Sequence, residues 1–276
     1  MWIAEGLLNA TTNWLRKEVQ PPGTGLSDFG EMRRHLRPAD VILVEGRTRI
    51  AGVIQAVTLS SWTHSALYIG RPVDIVDPDT VARLRMLPGV RDDTQLILEA
   101  EIGRGVIISP LTRYAHEHLR LCRPSALTAA DAQIVIAYAA ARLGMPYDVR
   151  QIFDLLRFFF PYGLLPRHWR STLFEVGSSE LARTICSTLI AEAFLSVRYP
   201  ILPRVSPGGS GEPVFHQRNS RLRTPRDFDY SPYFDIVKYP FYGEVMEDYQ
   251  DLIWDDGPSD GDAAQPAAPA PPAPKQ

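Results

Sequence analysis

Apolar positions along the chain follow two different periods. In the first half they fall in short runs of strand length. Residues 41–44 (Val-Ile-Leu-Val), 62–70 and 96–102 read as strands, and Gly103, Arg104 and Gly105 turn the last of these into 106–108, the outline of a hairpin. A helix-like stretch leads from the turn at Pro21, Pro22 and Gly23 to Arg37, and 50–59 suits a second helix. In the second half the spacing changes. Thr128 and Asp131 form a helix-start signature, and the helix they open runs to Leu143 before Gly144, Met145 and Pro146 stop it. Further on, Cys186, Leu189, Ile190, Ala193, Phe194 and Val197 recur at the spacing of one helical face. Strands mainly first and helices mainly later predict an α+β fold.

The helix at 186 places a thiol in its first turn. There it meets the positive end of the macrodipole and free backbone N–H groups, both of which favour thiolate, the nucleophilic form. The same position also suits a small buried core residue, since free cysteine is among the most buried types. Thiol hydrolysis needs an imidazole beside the thiolate and a polar group that orients the imidazole. Of the six histidines, His64 lies inside a β run, on one face with Ala66 and Tyr68. A strand histidine is equally at home as a half-buried structural residue. On the next run Glu99 and Glu101 interrupt an apolar pattern, and an acid facing a core must be paired. A surface-facing strand is the alternative.

Composition narrows the classes. The chain has 276 residues, 45% hydrophobic and 22% charged, as in ordinary globular proteins, and a net charge of -3 that gives no electrostatic case for nucleic acid. Two cysteines, Cys122 and Cys186, are too few for a disulfide framework and suit a reducing, cytoplasmic compartment. There is no zinc-type cysteine spacing and no phosphate loop. The apolar start at Trp2 and Ile3 is broken by Glu5 and does not read as a signal peptide, and no run is long enough to span a membrane. Three regions follow: an amphipathic N-terminal segment, 1–26; a globular domain, 27–256; and a Pro/Ala-rich tail, 257–276, expected to be disordered and a candidate ligand for other proteins.

Several pieces in order resemble the circularly permuted papain-like amidases of the YaeF/YiiX type, relatives of the NlpC-type cysteine hydrolases. They are Asp40 to Leu43 with Ile54 and Gln55; Trp62 to Ala66; Leu98, Glu99 and Ala100 with Gly105 and Val106; Leu143 to Asp148; Ile185, Cys186 and Ser187; and Thr224 to Phe228. Ordinary NlpC-type enzymes carry the Leu-Gly-x-Pro-Tyr piece and the cysteine before the histidine strand. Here the histidine and glutamate strands come first, as circular permutation implies. The resemblance implies a small antiparallel barrel-like sheet packed on helices. It makes Cys186 the nucleophile, His64 the base and Glu99 the orienting third member, with Glu101 the alternative. It also implies Tyr147 near the oxyanion site, with Ser65 a further oxyanion or substrate-binding candidate, and requires neither metal nor organic cofactor. The implied activity is cleavage of a peptide or isopeptide amide through an acyl-enzyme. Lipid-directed acyl hydrolysis or transfer is the alternative, with peripheral membrane contact through the aromatic stretch that includes Phe158, Phe159, Phe160, Tyr162 and Trp169. A degenerate hydrolase fold serving as a binding or scaffold protein is the third reading.

Overall fold

Short apolar runs become a sheet and the longer amphipathic runs cover it. The computed structural model describes residues 17–18, 28–101, 104–145, 186–209, 212–216 and 223–238, with Val53, Val57 and Cys186 described by backbone alone. All of them belong to one structural unit within residues 1–241. Most of the N-terminal segment, Tyr147, the aromatic stretch 151–175 and the tail from 257 lie outside the described residues.

The described elements, in chain order, are α1 (Phe29–His35), β1 (Val41–Glu45), α2 (Arg49–Thr58), β2 (His64–Gly70), α3 (Pro78–Arg85), β3 (Leu96–Glu101) and β4 (Gly105–Pro110). They continue with β5 (His118–Pro124), α4 (Ala129–Ala140), α5 (Cys186–Ser196), β6 (Arg204–Pro207), β7 (Pro213–His216), α6 (Pro225–Asp229) and β8 (Phe234–Val237). A 3-10 turn, Leu111–Tyr114, joins β4 to β5. Six strands form one sheet in the order β4-β3-β2-β1-β5-β8, antiparallel at every pairing; β6 and β7 make a separate hairpin. This is the helix-packed antiparallel sheet expected of an α+β chain. The strand-first, helix-later reading holds only in part: α1, α2 and α3 lie among the early strands, β6 and β7 come late, and β8, from the far end of the described chain, completes the sheet beside β5.

Alternation sorts the strand residues onto two cores. Val41, Leu43, Leu67, Ile69, Leu96, Leu98 and Ala100 face α4 and α5, where they meet Val135, Ile136, Ala139, Leu189, Ile190, Ala193 and Phe194. Ile42, Val44, Ala66, Tyr68 and Ile97 face the other way, against Met32 and Leu111. Phe194 and Phe228 are wholly buried and pack with Tyr199 and Phe234 in edge-on and tilted pairs. Each such ring removed from water stabilises the fold by about 1.5–3 kcal/mol.

Polar side chains fix the element ends. Thr128 caps α4 by accepting from the Asp131 N–H, 3.1 Å. Gly144, at φ +77°, turns the chain after that helix. Its N–H then bonds the Val106 carbonyl while the Val106 N–H bonds Met145, which lays residues 144–145 alongside β4. Asp40, buried before β1, accepts from both Arg123 nitrogens at 3.0 and 2.9 Å and from the Arg37 N–H.

Candidate active site

Two adjacent strands, β2 and β3, carry the candidate imidazole and carboxylate. Antiparallel pairing of β2 with β3 sets Leu67 opposite Leu98 and Tyr68 opposite Ile97, so His64, at the first position of β2, falls beside the end of β3. The approach to His64 is fixed locally. Thr63 Oγ1 accepts from the Gly46 N–H at 2.9 Å and donates to the Val44 carbonyl, tying the entry of β2 to the exit of β1. A side chain at Gly46 would come within 2.7 Å of that hydroxyl, which is why the position takes glycine. Trp62, one residue earlier, is buried; its Nε1 donates to Asp229 Oδ2 at 3.2 Å, and Arg120 stacks on its ring.

His64 Nε2 lies 2.8 Å from Glu99 Oε2. Glu99 is 1% exposed, His64 23%. An ionised carboxylate only accepts, so Nε2 is the donor when Glu99 is charged. Two further groups reach the same carboxylate. Tyr114 donates its hydroxyl to Oε2 at 2.5 Å, and Arg113 Nη1 lies 3.1 Å from Oε1. Burial is the largest influence on Glu99 and pushes it toward the neutral acid. The hydrogen bond and charge of His64, the Arg113 charge and the Tyr114 hydrogen bond outweigh it and hold Glu99 at about 2.

Glu101 shares the face of Glu99 but is bound differently. It accepts from Arg104 at 2.9 Å and from Arg113 at 3.1 Å, near the hairpin turn. Arg113 thus spans both glutamates and approaches Ser109 Oγ at 3.3 Å. Burial works against its charge, but the two carboxylates raise it well above the ordinary arginine value. Neither Arg113 nor Tyr114 was singled out by sequence reasoning. They sit in a 3-10 turn with no periodic pattern, and the only available signal was the need of a buried Glu99 for partners beyond one histidine.

Cys186 opens α5, as the helical spacing predicts, and α5 packs against β2 and β3, the strands that carry His64 and Glu99. The adjacent Ser187 is buried and donates to the Arg223 carbonyl at 2.8 Å, which pins the start of α5 to the chain just before α6. Helix α6 is the Thr224 to Phe228 piece, closed by a Thr224 N–H bond to Asp227 Oδ2 at 3.1 Å. His64 and Glu99 point to the sheet face that bears Ala66 and Ile97, whereas α5 covers the face of Leu67 and Leu98. Ser65 points to the helix side; it is fully buried, and its hydroxyl has no hydrogen-bond partner among the described residues. Tyr147 lies outside the described residues. Cys122, by contrast, is sealed within β5: burial, helped by the charge of Asp229, drives its thiol far above the usual range. Among the described residues no cluster of three or more His, Cys, Asp or Glu is placed to hold a metal, and no helix is long and apolar enough to cross a membrane.

Residues 35–155 match the profile of the permuted papain-like amidase enzymes, YaeF/YiiX, C92 family. That match covers β1 through α4, including His64, Glu99 and the Leu143 to Tyr147 piece, and ends before Cys186. The match agrees with the resemblance read from the sequence and supports a cysteine hydrolase of permuted papain-like type. No curated protein matches the sequence. Among solved structures, the metalloprotein YiiX from Escherichia coli O157:H7 is similar at a TM-score of 0.43 and 16% identity, over 73% of this chain and 96% of that one.

Proposed function

We propose that the protein cleaves an amide bond, peptide or isopeptide, through a Cys186–His64–Glu99 triad and an acyl-enzyme. The observation that carries this reading is the His64–Glu99 pair. A carboxylate removed from water and kept ionised is aimed at one ring nitrogen of a histidine that is itself partly open to solvent. That is the arrangement a general base needs, because the carboxylate fixes the ring and stabilises the imidazolium formed when it takes a proton. With Nε2 committed to Glu99, Nδ1 is the atom that takes the Cys186 proton.

The chemistry then follows from the groups. The Cys186 thiolate attacks the carbonyl carbon and the C=O π electrons move to oxygen; the carbonyl then re-forms and the C–N bond breaks, its electrons leaving on the nitrogen as the imidazolium hands its proton to the departing amine. Water, deprotonated by His64, attacks the thioester, releases the acid and regenerates the thiol. The backbone N–H of Cys186, at a helix start, suits the developing oxyanion, and Ser65 and Tyr147 stand as further candidate donors. Cys122 supports the assignment by default, since a thiol buried in a strand core is neither ionised nor reachable.

Alkylation tests this reading. With iodoacetamide near neutral pH, Cys186 should react while Cys122 stays protected until the protein unfolds, and His64→Ala should slow Cys186 by tenfold or more. Equal rates at the two thiols, or no effect of His64→Ala, would remove the proposed nucleophile.

One observation favours the lipid-directed reading. A cavity of about 420 Å³ runs beside α5, lined by Ala191, Leu195, Ile201 and Phe215, with Arg198 and Arg223 in its wall. The stripe Ser187, Ala191, Leu195 starts next to Cys186, and its apolar lining with basic groups suits an acyl chain bearing an anionic group. Turnover of an acyl thioester, lost in Leu195→Glu while a short peptide amide is still cleaved, would favour this substrate; the opposite selectivity would rule it out.

A further inference from the structure

We propose that Arg113 and Tyr114 are positioning residues that hold the Glu99 carboxylate on His64. This rests on the reading of His64 as the base and adds two side chains to the site that neither the strand pattern nor the family match assigns.

The argument begins with the cost of placing Glu99 where it is. A carboxylate 1% exposed has exchanged its water shell for whatever the protein supplies, and burial alone drives it toward the neutral form. A neutral Glu99 would neither orient the ring in one sense nor stabilise the imidazolium. An ionised carboxylate offers about four acceptor sites on two oxygens. Here Arg113 takes Oε1 at 3.1 Å, while Tyr114 at 2.5 Å shares Oε2 with His64 at 2.8 Å. The carboxylate is thus held on both oxygens, by Arg113 on the one that His64 does not use and by Tyr114 on the one that it does, and its rotation about the terminal bond is blocked. Charge-assisted bonds of this kind are the stronger class.

The grip comes from one short element. Arg113 and Tyr114 are the last two residues of the 3-10 turn that follows β4, itself the hairpin partner of the Glu99 strand. Leu111, at the start of that turn, is 1% exposed and anchors it in the core below Ile97. Arg113 also reaches Glu101 and Ser109 and lies 5.7 Å over the Tyr114 ring, so its head is held on several sides. Among the described residues, the charged and titratable groups around Glu99 are His64 from β2, Arg113 and Tyr114 from the turn, and Glu101 on its own strand, with Arg104 next to the last of these. The Tyr114 ring stands 6.1 Å from that of His64, so the same turn also walls one side of the imidazole.

The test measures the second-order rate of Cys186 alkylation in the full-length chain from pH 4 to 9, for the wild type, Tyr114→Phe, Arg113→Met, Arg113→Lys and His64→Ala. Thermal melts identify which variants are folded. Loss of one charge-assisted donor is worth roughly tenfold. Tyr114→Phe should therefore lower the plateau rate by about tenfold and move the acid limb of the profile upward, and Arg113→Lys should recover most of what Arg113→Met loses. A merely structural pair of residues would lower the melting temperature and leave the pH profile of the folded enzyme where it was. If His64→Ala slows the reaction but folded Tyr114→Phe superimposes on the wild type at every pH, the positioning role is overturned and the triad stands. If His64→Ala has no effect, the triad itself falls and takes this inference with it. Tyr114→Phe keeps the test decisive should Arg113→Met fail to fold, since it removes a single oxygen.

Discussion

Replacing Glu99 by glutamine should change how the protein's stability depends on acid. Glu99 sits at about 2 in the folded chain against an ordinary value of 4.5. A carboxyl depressed on folding contributes stability that is complete above its unfolded value and disappears as pH falls through its folded one. The shift of about two and a half pH units, at about 1.36 kcal/mol each, sets that contribution at about 3 kcal/mol, of which about 2 kcal/mol is gone by pH 3. No discount for solvent applies, because the carboxylate is buried. The assay is urea unfolding followed by tryptophan fluorescence at pH 6, 5, 4 and 3 in the wild type and in Glu99→Gln. Glutamine also leaves Arg113 and His64 facing an amide, a cost paid at every pH, so the absolute stabilities will differ. The informative quantity is the difference between the two proteins, which should shrink by about 2 kcal/mol between pH 6 and pH 3. A difference that stays constant over that range would mean that Glu99 is not held ionised in the folded state. The electrostatic basis of the His64 pair would then be wrong.

Two further substitutions separate neighbouring roles. Glu101→Gln should cost little activity, less than about threefold in kcat/KM, because its bonds run to Arg104 and Arg113, whereas Glu99→Gln should cost more than tenfold; amide hydrolysis measured on both variants checks the order. Ser187→Ala removes the hydroxyl that ties the start of α5 to the Arg223 carbonyl, leaving a buried acceptor short of a donor, and should lower stability by about 1–3 kcal/mol in urea while also slowing Cys186 alkylation.

How much of this was legible in the residues depends on the range of the interaction that fixes each element. The strands at 41–45, 64–70 and 96–101 and the helices at 49–58, 129–140 and 186–196 carry their own signals: alternation, apolar runs, the Thr128 cap, the Gly144 stop. They appear where those signals place them, within a residue or two except where the helix from Thr128 stops short of Leu143. Strand β5 was missed because its sequence, His118–Pro124, mixes His, Arg and Cys and looks like a surface segment; only pairing with β1 and β8 on both sides makes it central. The hairpin of β6 and β7 is short and largely exposed, four residues to a strand, too little to show an alternation. The preference for Glu99 over Glu101 could not come from alternation, because both point to one face. It rests on the family resemblance, and the structure adds a distance: Glu99 lies deeper, 2.8 Å from His64, while Glu101 sits at the hairpin end beside Arg104.

The placement of α5 sets a geometric condition on the chemistry. The helix lies on one face of the sheet and the His64–Glu99 pair on the other, so a thiol from α5 cannot meet the imidazole through the body of the sheet. In the proposed triad the two would have to meet around an end of the sheet. His64 is the first residue of β2, the tie of Thr63 to Gly46 and Val44 holds that end in place, and the ring there is open to solvent while Glu99 beneath it is not. A histidine two positions further along β2, at Ala66, would be enclosed in the core with Ile42 and Tyr68 and could not accept a proton from anything that binds at the surface. The strand-end position thus reconciles two demands that conflict elsewhere in the sheet. The carboxylate must be buried for its charge to act strongly on the ring, and the ring must be exposed for nucleophile and substrate to reach it. A one-residue slip of β2 against β1 would turn His64 to the helix face, away from Glu99, so the register between Val44 and His64 is as much a part of the site as the side chains themselves.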